Sequence, residues 1–351
     1  MIVALWLGSP SIATAQELPS PEAIEQSIVD SLRSPSQALP PNFLRLSDRT
    51  EKTVDDLGPL KELAGTWVGQ GWNLIAVPIN SASDRSEVGC PGPDASPPKE
   101  GFCVEIAPYV ETITFTPIGA KVPNRGFPKN TFVVGLHYEQ KVSDAKTFQP
   151  LHIENGMWLL LDEKKKIVAR LSSIPHGNSI LATGTASDTK EFLTIKPVSG
   201  LPILANPDKA FGYAERTYGA AAERTAGANK IPKFRPDNPN KILQDVLDQQ
   251  KKSGLKLLDT TILKVSTKNH QGGIVNIPFI EKNADVSSFD SVFWIEQVQN
   301  KQGKDFLQLQ YSQTTNLDFI PDFTVPKNPT STAPTKLIVW PHVDVSTLVK
   351  Q

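Results

Sequence analysis

The residues with the clearest capacity for chemistry are His152 and Glu154, which lie two positions apart in the segment HIENGMW at 152–158. Residues two apart on a β-strand share a face, so both side chains would lie opposite Leu151 and Ile153. An imidazole beside a carboxylate handles protons or forms a metal ligand oriented by a second group. A structural hydrogen bond across the mouth of a sheet is the alternative.

Two more histidines have surroundings that suit a site. His176 stands between Pro175 and Gly177, which predicts a tight turn that holds the ring at the rim between two strands. His342 lies in the largely apolar segment WPHVDV at 340–345, where a histidine is either a satisfied core group or a neutral imidazole free to bind iron. The catalytic candidates are therefore His152, Glu154 and His176, and the candidate metal ligand is His342.

Other chemistries have weaker support in the sequence. His137 would lie on the face opposite Phe132 and Leu136, and His270 falls in the turn sequence KNHQGG, so solvated positions are expected for both. Motifs of serine hydrolases, phosphate-binding loops and zinc proteases are absent. The spacing of His152 and its carboxylate is faintly similar to the ligand strand of cupins, but their H-x-H pair is missing. The absence of C-x-x-C excludes a covalent c-type haem and a thioredoxin-like redox pair.

The composition and the N-terminal segment indicate which partners and which cellular compartment to expect. The net charge is −1 and 21% of the residues are charged, which excludes the basic surface that nucleic-acid binding requires. An apolar run at 2–7 followed by Ala-Thr-Ala at 13–15 predicts a signal peptide and export, with an apolar N-terminal strand as the alternative. No later stretch is long and apolar enough to span a bilayer. In an exported chain, Cys90 and Cys103 favour one disulfide, and two free thiols are the alternative.

The elements that must position these residues are short strands separated by Gly, Pro, Asn and Asp. A Pro-rich arm is expected at 16–55, followed by a single domain at 56–351. Two-residue periodicity predicts eleven strands, at 66–77, 104–116, 131–138, 151–161, 167–174, 179–185, 191–196, 257–267, 291–298, 306–311 and 336–340. One helix is predicted at 240–253, within a loop and helix insertion at about 202–256 that could serve as a lid.

Many antiparallel strands with little helix leave a sandwich or an up-and-down barrel. The barrel is favoured because Gly69 and Gly71 lie on the face of Trp67 and let the backbone bend where a sheet must close. The fold class expected is therefore all-β, an antiparallel, calycin-like barrel of about ten strands around an apolar cavity.

Two motifs together resemble a known family. The segment LAGTWVGQG at 63–71 is similar to the L-x-G-x-W-x-G-x-G opening strand of nitrobindins and related fatty-acid-binding-protein-like barrels. His152-x-Glu154-x-Gly156 is similar to the H-x-E-x-G strand that follows in nitrobindins. This chain is about twice the usual length, and its last histidine follows a Trp-Pro pair.

The resemblance implies a b-type haem in the barrel, with His342 as the proximal ligand of the iron. His152, Glu154 and His176 would then furnish the opposite side, with NO binding or a peroxidase-like activity. Trp67, Trp158, Arg125 and Trp340 are the predicted cofactor contacts, with Arg125 placed to meet a propionate.

Two alternative functions without redox chemistry are also consistent with the sequence. A lipocalin-like carrier of a fatty acid or pigment would use the same tryptophans as the wall of its pocket. A surface or assembly protein would have its pocket closed by side chains. The partner expected in the first two readings is haem or another apolar small molecule.

Overall fold

The structure is a computed structural model that describes residues 55–78, 102–118, 122–124, 131–204, 236–269, 271–318 and 338–351. Its strands are β1 (Gly65–Pro78), β2 (Phe102–Pro117), β3 (Val122–Asn124), β4 (Thr131–Asp144), β5 (Pro150–Asp162), β6 (Ile167–Ile174), β7 (Asn178–Thr189), β8 (Ile203–Leu204), β9 (Lys256–Ser266), β10 (Gly273–Asn276), β11 (Asp285–Gln299), β12 (Asp305–Asp318) and β13 (Ile338–Lys350). A 3-10 helix at Gly58–Leu63 and the α-helices α1 (Lys241–Lys252) and α2 (Pro278–Asn283) complete the described elements.

Ten of these strands form a closed antiparallel barrel. The pairing order is β1-β2-β4-β5-β6-β7-β9-β11-β12-β13, and β13 pairs back onto β1, with Trp67 opposite Lys350 and Ile75 opposite His342. Three short strands pair outside the ring: β3 with β4, β8 with β13, and β10 with β7. The predicted all-β barrel is confirmed.

Glycines allow the barrel strands to approach closely at β1. A Cβ built on Gly69 would stand 2.1 Å from the carbonyl oxygen of Thr347, and one on Gly71 would stand 2.5 Å from the ring of Tyr109. Both positions share the inward face with Trp67. The prediction that these glycines serve barrel closure is consistent with this geometry.

One end of the barrel is closed by the 3-10 helix. Leu60 and Leu63 of that helix are fully buried, and the indole nitrogen of Trp67 donates to the carbonyl of Leu63 at 2.7 Å. Trp158 packs against Phe293 in the same core cluster. We call this the closed end. The name open end is used for the opposite end, where β5 and β13 begin and β6 ends, and where the segments at 79–101 and 319–337 lie outside the described residues.

The insertion between β7 and β9 differs from expectation in one element. Residues 191–196 are not a strand: their alternation arises because Leu193 and Ile195 pack against α1. Helix α1 matches the predicted helix, and its buried Leu243 and Leu247 pack on the outer wall of the barrel. The described part of the insertion thus covers the wall, while residues 205–235 lie outside the described residues.

Several predicted features fall outside the described residues and stay predictions. They are the signal peptide, the Pro-rich arm, the Cys90–Cys103 disulfide, Arg125 and His270. Within the described ranges, every helix is too short or too polar to cross a membrane.

Candidate functional site

Three histidines meet at the open end of the barrel. His152 and His342 lie near the start of β5 and β13, at the third and fifth positions of these strands, and His176 lies in the turn from β6 to β7, so the topology brings all three to the same rim. The ring centroids of His152 and His176 are 5.4 Å apart. The side chains of His152 and His342 retain 25% and 30% exposure, so a ligand could reach both. His137, in contrast, is exposed on the outer wall, as expected.

His152 and Glu154 share the inward face of β5. The Nε2 atom of His152 is 3.5 Å from Oε2 of Glu154, whose side chain is buried. Leu151 and Ile153 are exposed on the outer wall, which is the alternation that the sequence predicts. The carboxylate is therefore placed to orient the imidazole from within the barrel.

Arg170 lies behind Glu154 and was missed by sequence reasoning. Its Nη2 atom donates to Oε1 of Glu154 at 2.8 Å, and its Nη1 atom donates to Gln313 at 2.8 Å. Four aromatic rings surround the guanidinium, those of Tyr138, Trp158, Phe289 and Phe293. Arg170 shares its strand face with Val168 and Ser172, and this mixed face was the available signal that one side of β6 carries a buried charge.

The pKa values of Glu154, His152 and His176 are shifted by burial and by neighbouring charges. Burial alone would raise the pKa of Glu154, but the guanidinium of Arg170 and the bond to His152 hold that pKa well below its usual range. Burial would lower the pKa of His152, but the hydrogen bond and charge of Glu154 raise it above the ordinary value. Burial and the charges of His152 and His342 lower the pKa of His176. His152 is thus easier to protonate than an ordinary histidine, and His176 is harder to protonate.

A second buried carboxyl, Glu111, lies deeper in the barrel. Tyr311 donates to it at 2.8 Å, Ser346 at 2.7 Å and Gln140 at 2.5 Å. Burial raises the pKa of Glu111 to about 7 in spite of these hydrogen bonds. The barrel interior below the histidines is therefore polar in this layer, which the apolar cavity predicted from the sequence did not include.

His342 is held by two neighbours on β1 and β13. The side-chain nitrogen of Asn73 donates to Oδ1 of Asp344 at 2.8 Å and also hydrogen-bonds Nε2 of His342. The distance from Nε2 of His342 to Oδ1 of Asp344 is 3.8 Å. Asn73 was not among the predicted site residues, because an isolated amide on a strand carries no spacing signal.

The three predicted cofactor contacts that the structure describes fall into two clusters. Trp340 lies two residues before His342 and is buried in an apolar cluster with Ile280 of α2. Trp67 and Trp158 belong to the core cluster, which includes the closed end; Trp67 is eight positions along β1 from Ile75, about 25 Å on an extended strand. Trp340 thus shares a strand and an end of the barrel with His342, whereas Trp67 lies in the core of the opposite end. Arg125 lies outside the described residues.

An apolar rim adjoins the turn that carries His176. The backbone of Ile277 donates to the carbonyl of Gly177 at 2.9 Å, so β10 and α2 pack against this turn. Val275, Ile277 and Phe279 are exposed there. A ligand bound at the open end could therefore meet imidazoles together with an apolar border.

The histidine geometry bears on the kind of metal that could bind. Among the described residues, no group of three His, Cys, Asp or Glu side chains is close enough to hold a metal ion by itself.

Comparisons with known proteins give one family and one structural likeness. Residues 56–224 match the family described as "THAP4-like, heme-binding beta-barrel domain". The match includes both motif strands and six of the ten barrel strands. The solved structure titled "Crystal Structure of Rv2717c from M. tuberculosis" aligns at 15% identity over 85% of this chain and 97% of that chain, with a TM-score of 0.37, too low to support an argument. No curated protein matches the chain in sequence.

Proposed function

We propose that this chain binds haem at the open end of its barrel, because residues 56–224 match the model of THAP4-like haem-binding β-barrel domains, in agreement with the nitrobindin resemblance. His342 is the residue that would bind the iron, and His152 and His176 would lie near the bound group at the same rim. The observation that carries the proposal is the convergence of these three histidines at one rim.

The residues at the rim fit such a ligand. His342 retains exposure, and the buried indole of Trp340 lies beside it on the same strand. The exposed apolar side chains of β10 and α2 offer a border for a hydrophobic macrocycle. We place the haem at the mouth because aromatic side chains pack the core at the closed end and the Glu111 network occupies the layer between.

His152 and His176 would supply the chemistry beyond binding. When bound, a b-type haem would supply an iron with a position open to NO or a peroxide. Glu154 raises the pKa of His152, which suits that ring to donate a proton to a bound ligand, and the lowered pKa of His176 suits that ring to accept one. Peroxidase-like turnover and NO binding are both compatible with this pair.

A titration of the apo protein with haemin, followed by visible absorption, tests the proposal. We expect a Soret band of a histidine-ligated haem in the wild type and its loss in His342→Ala, with recovery when imidazole is added. His137→Ala is the matched control, since that ring is exposed on the outer wall. The proposal fails if the wild type takes up no haemin, or if His342→Ala gives the same spectrum.

The same material separates haem from the lipocalin-like alternative. Native mass spectrometry of the purified protein would show a porphyrin mass if haem is the ligand. An extracted lipid without porphyrin, together with no uptake of haemin, would favour the carrier.

A further inference from the structure

The hydrogen bonds of Asn73 determine which ring nitrogen of His342 carries the proton. In the register between β1 and β13, Asn73 is opposite Asp344 and Ile75 is opposite His342, so the three polar side chains share the inward face. The amide nitrogen of Asn73 bonds both Oδ1 of Asp344 and Nε2 of His342. One NH₂ group has two hydrogens, which is the number that these two bonds require.

The carboxylate of Asp344 fixes which way the amide faces. A carboxylate oxygen only accepts hydrogen bonds, so the nitrogen of the Asn73 amide must be the atom directed at Asp344. The same nitrogen has only a hydrogen to offer to His342. Nε2 of His342 must therefore act as the acceptor and carry no proton, which places the proton of the neutral ring on Nδ1.

We propose that Asn73 and Asp344 are positioning residues that hold His342 in the Nδ1–H tautomer, with the Nε2 lone pair directed at the Asn73 amide. The role of that lone pair towards iron rests on the proposed function, whereas the tautomer does not. Iron would then meet an unprotonated Nε2 and would have to displace only the Asn73 amide. The partial exposure of His342 leaves room for that exchange.

Nitrogen-15 NMR of the apo protein tests the tautomer without haem. At a pH where free imidazole is neutral, we expect the ring nitrogens of His342 to report Nδ1–H in the wild type. Asn73→Ala and Asp344→Ala should both move the signal towards the Nε2–H form that free histidine prefers. Asn269→Ala is the control, because that amide bonds the carbonyl of Thr183 elsewhere on the barrel. Nε2–H in the wild type, or an unchanged tautomer in Asn73→Ala, overturns the proposal.

Haemin binding supplies a second readout. In Asn73→Ala, Nε2 of His342 no longer has to leave the amide, but the ring proton that moves onto Nε2 has to leave it. These two effects oppose each other, so the affinity for haemin should stay within about tenfold of the wild type, with no change in Asn269→Ala. A larger loss of affinity in Asn73→Ala would contradict the role proposed for the amide. If the wild type itself takes up no haemin, the proposed function fails, and the NMR result still decides the tautomer.

Discussion

Replacing Glu154 with glutamine removes the charge that faces Arg170 inside the barrel. The two side chains are 3% and 1% exposed, and a guanidinium stays protonated in proteins. In the variant, Arg170 keeps neutral acceptors on Tyr138, Ser291 and Gln313 but loses its counter-charge. The substitution therefore leaves a buried, uncompensated cation.

The expected cost follows from that geometry. Breaking one partner of a buried ion pair costs about 3–5 kcal/mol, and the remaining neutral acceptors place Glu154→Gln near the lower bound, about 3 kcal/mol. Glu139 offers the control on the neighbouring strand β4: its salt bridge with Lys141 is exposed, so Glu139→Gln should cost less than about 1 kcal/mol.

Urea denaturation at neutral pH measures both values. Adding Arg170→Met to Glu154→Gln should recover part of the loss, because no buried charge then remains. The reasoning is refuted if Glu154→Gln costs no more than Glu139→Gln, or if the two changes at the pair are simply additive. The pKa of Glu154 is lowered in the folded state, so the pair stabilises the wild type above the ordinary carboxyl pKa, and this contribution is lost as the pH falls towards the folded value.

Three further predictions concern single groups. Burial raises the pKa of Glu296 from 4.5 to about 8. Between these two pH values the carboxyl is protonated in the folded state and ionised in the unfolded state, so the free energy of unfolding should fall by up to about 1.4 kcal/mol per pH unit as the pH rises. Glu296→Gln should flatten this slope in pH-dependent denaturation, and an unchanged slope would contradict the prediction. Gly71→Ala should lower the stability of the fold by about 1–3 kcal/mol, because a Cβ at this position would clash with its neighbours. Gly273→Ala is the control in thermal denaturation, because a Cβ there meets nothing within 4 Å. Equal losses in the two variants would be inconsistent with a close approach of the strands at Gly71. The pKa of His152 measured by NMR should drop in Glu154→Gln, and a pKa that stays raised would show another cause.

The sequence predicted the barrel because most strands bury one face against an apolar core. Strand β6 was predicted with its observed bounds, and β5 differed by one residue at each end. The strand predicted at 191–196 was wrong because alternation also arises when an irregular segment packs on a helix, as Leu193 and Ile195 do on α1. Periodicity records which residues are buried and does not identify the partner that buries them.

The polar residues that face the barrel interior towards the open end were harder to predict from the sequence. Strand β13 was expected to end at 340, yet it continues to Lys350, with Asp344 and Ser346 on its inner face. Polar residues on the inner face break the apolar alternation, so the pattern reads as the end of a strand. Arg170 and Glu111 were missed for a different reason: each is buried only because strands far away in sequence supply its hydrogen-bond partners.

A crystal structure of the protein grown with haemin, with the iron located by its anomalous scattering, tests the central claim most directly. We predict that the iron lies at the open end, bonded to Nε2 of His342, with the amide of Asn73 displaced from that nitrogen. Iron at any other part of the barrel, or a porphyrin held by a different ligand while Asn73 still contacts His342, would contradict the account.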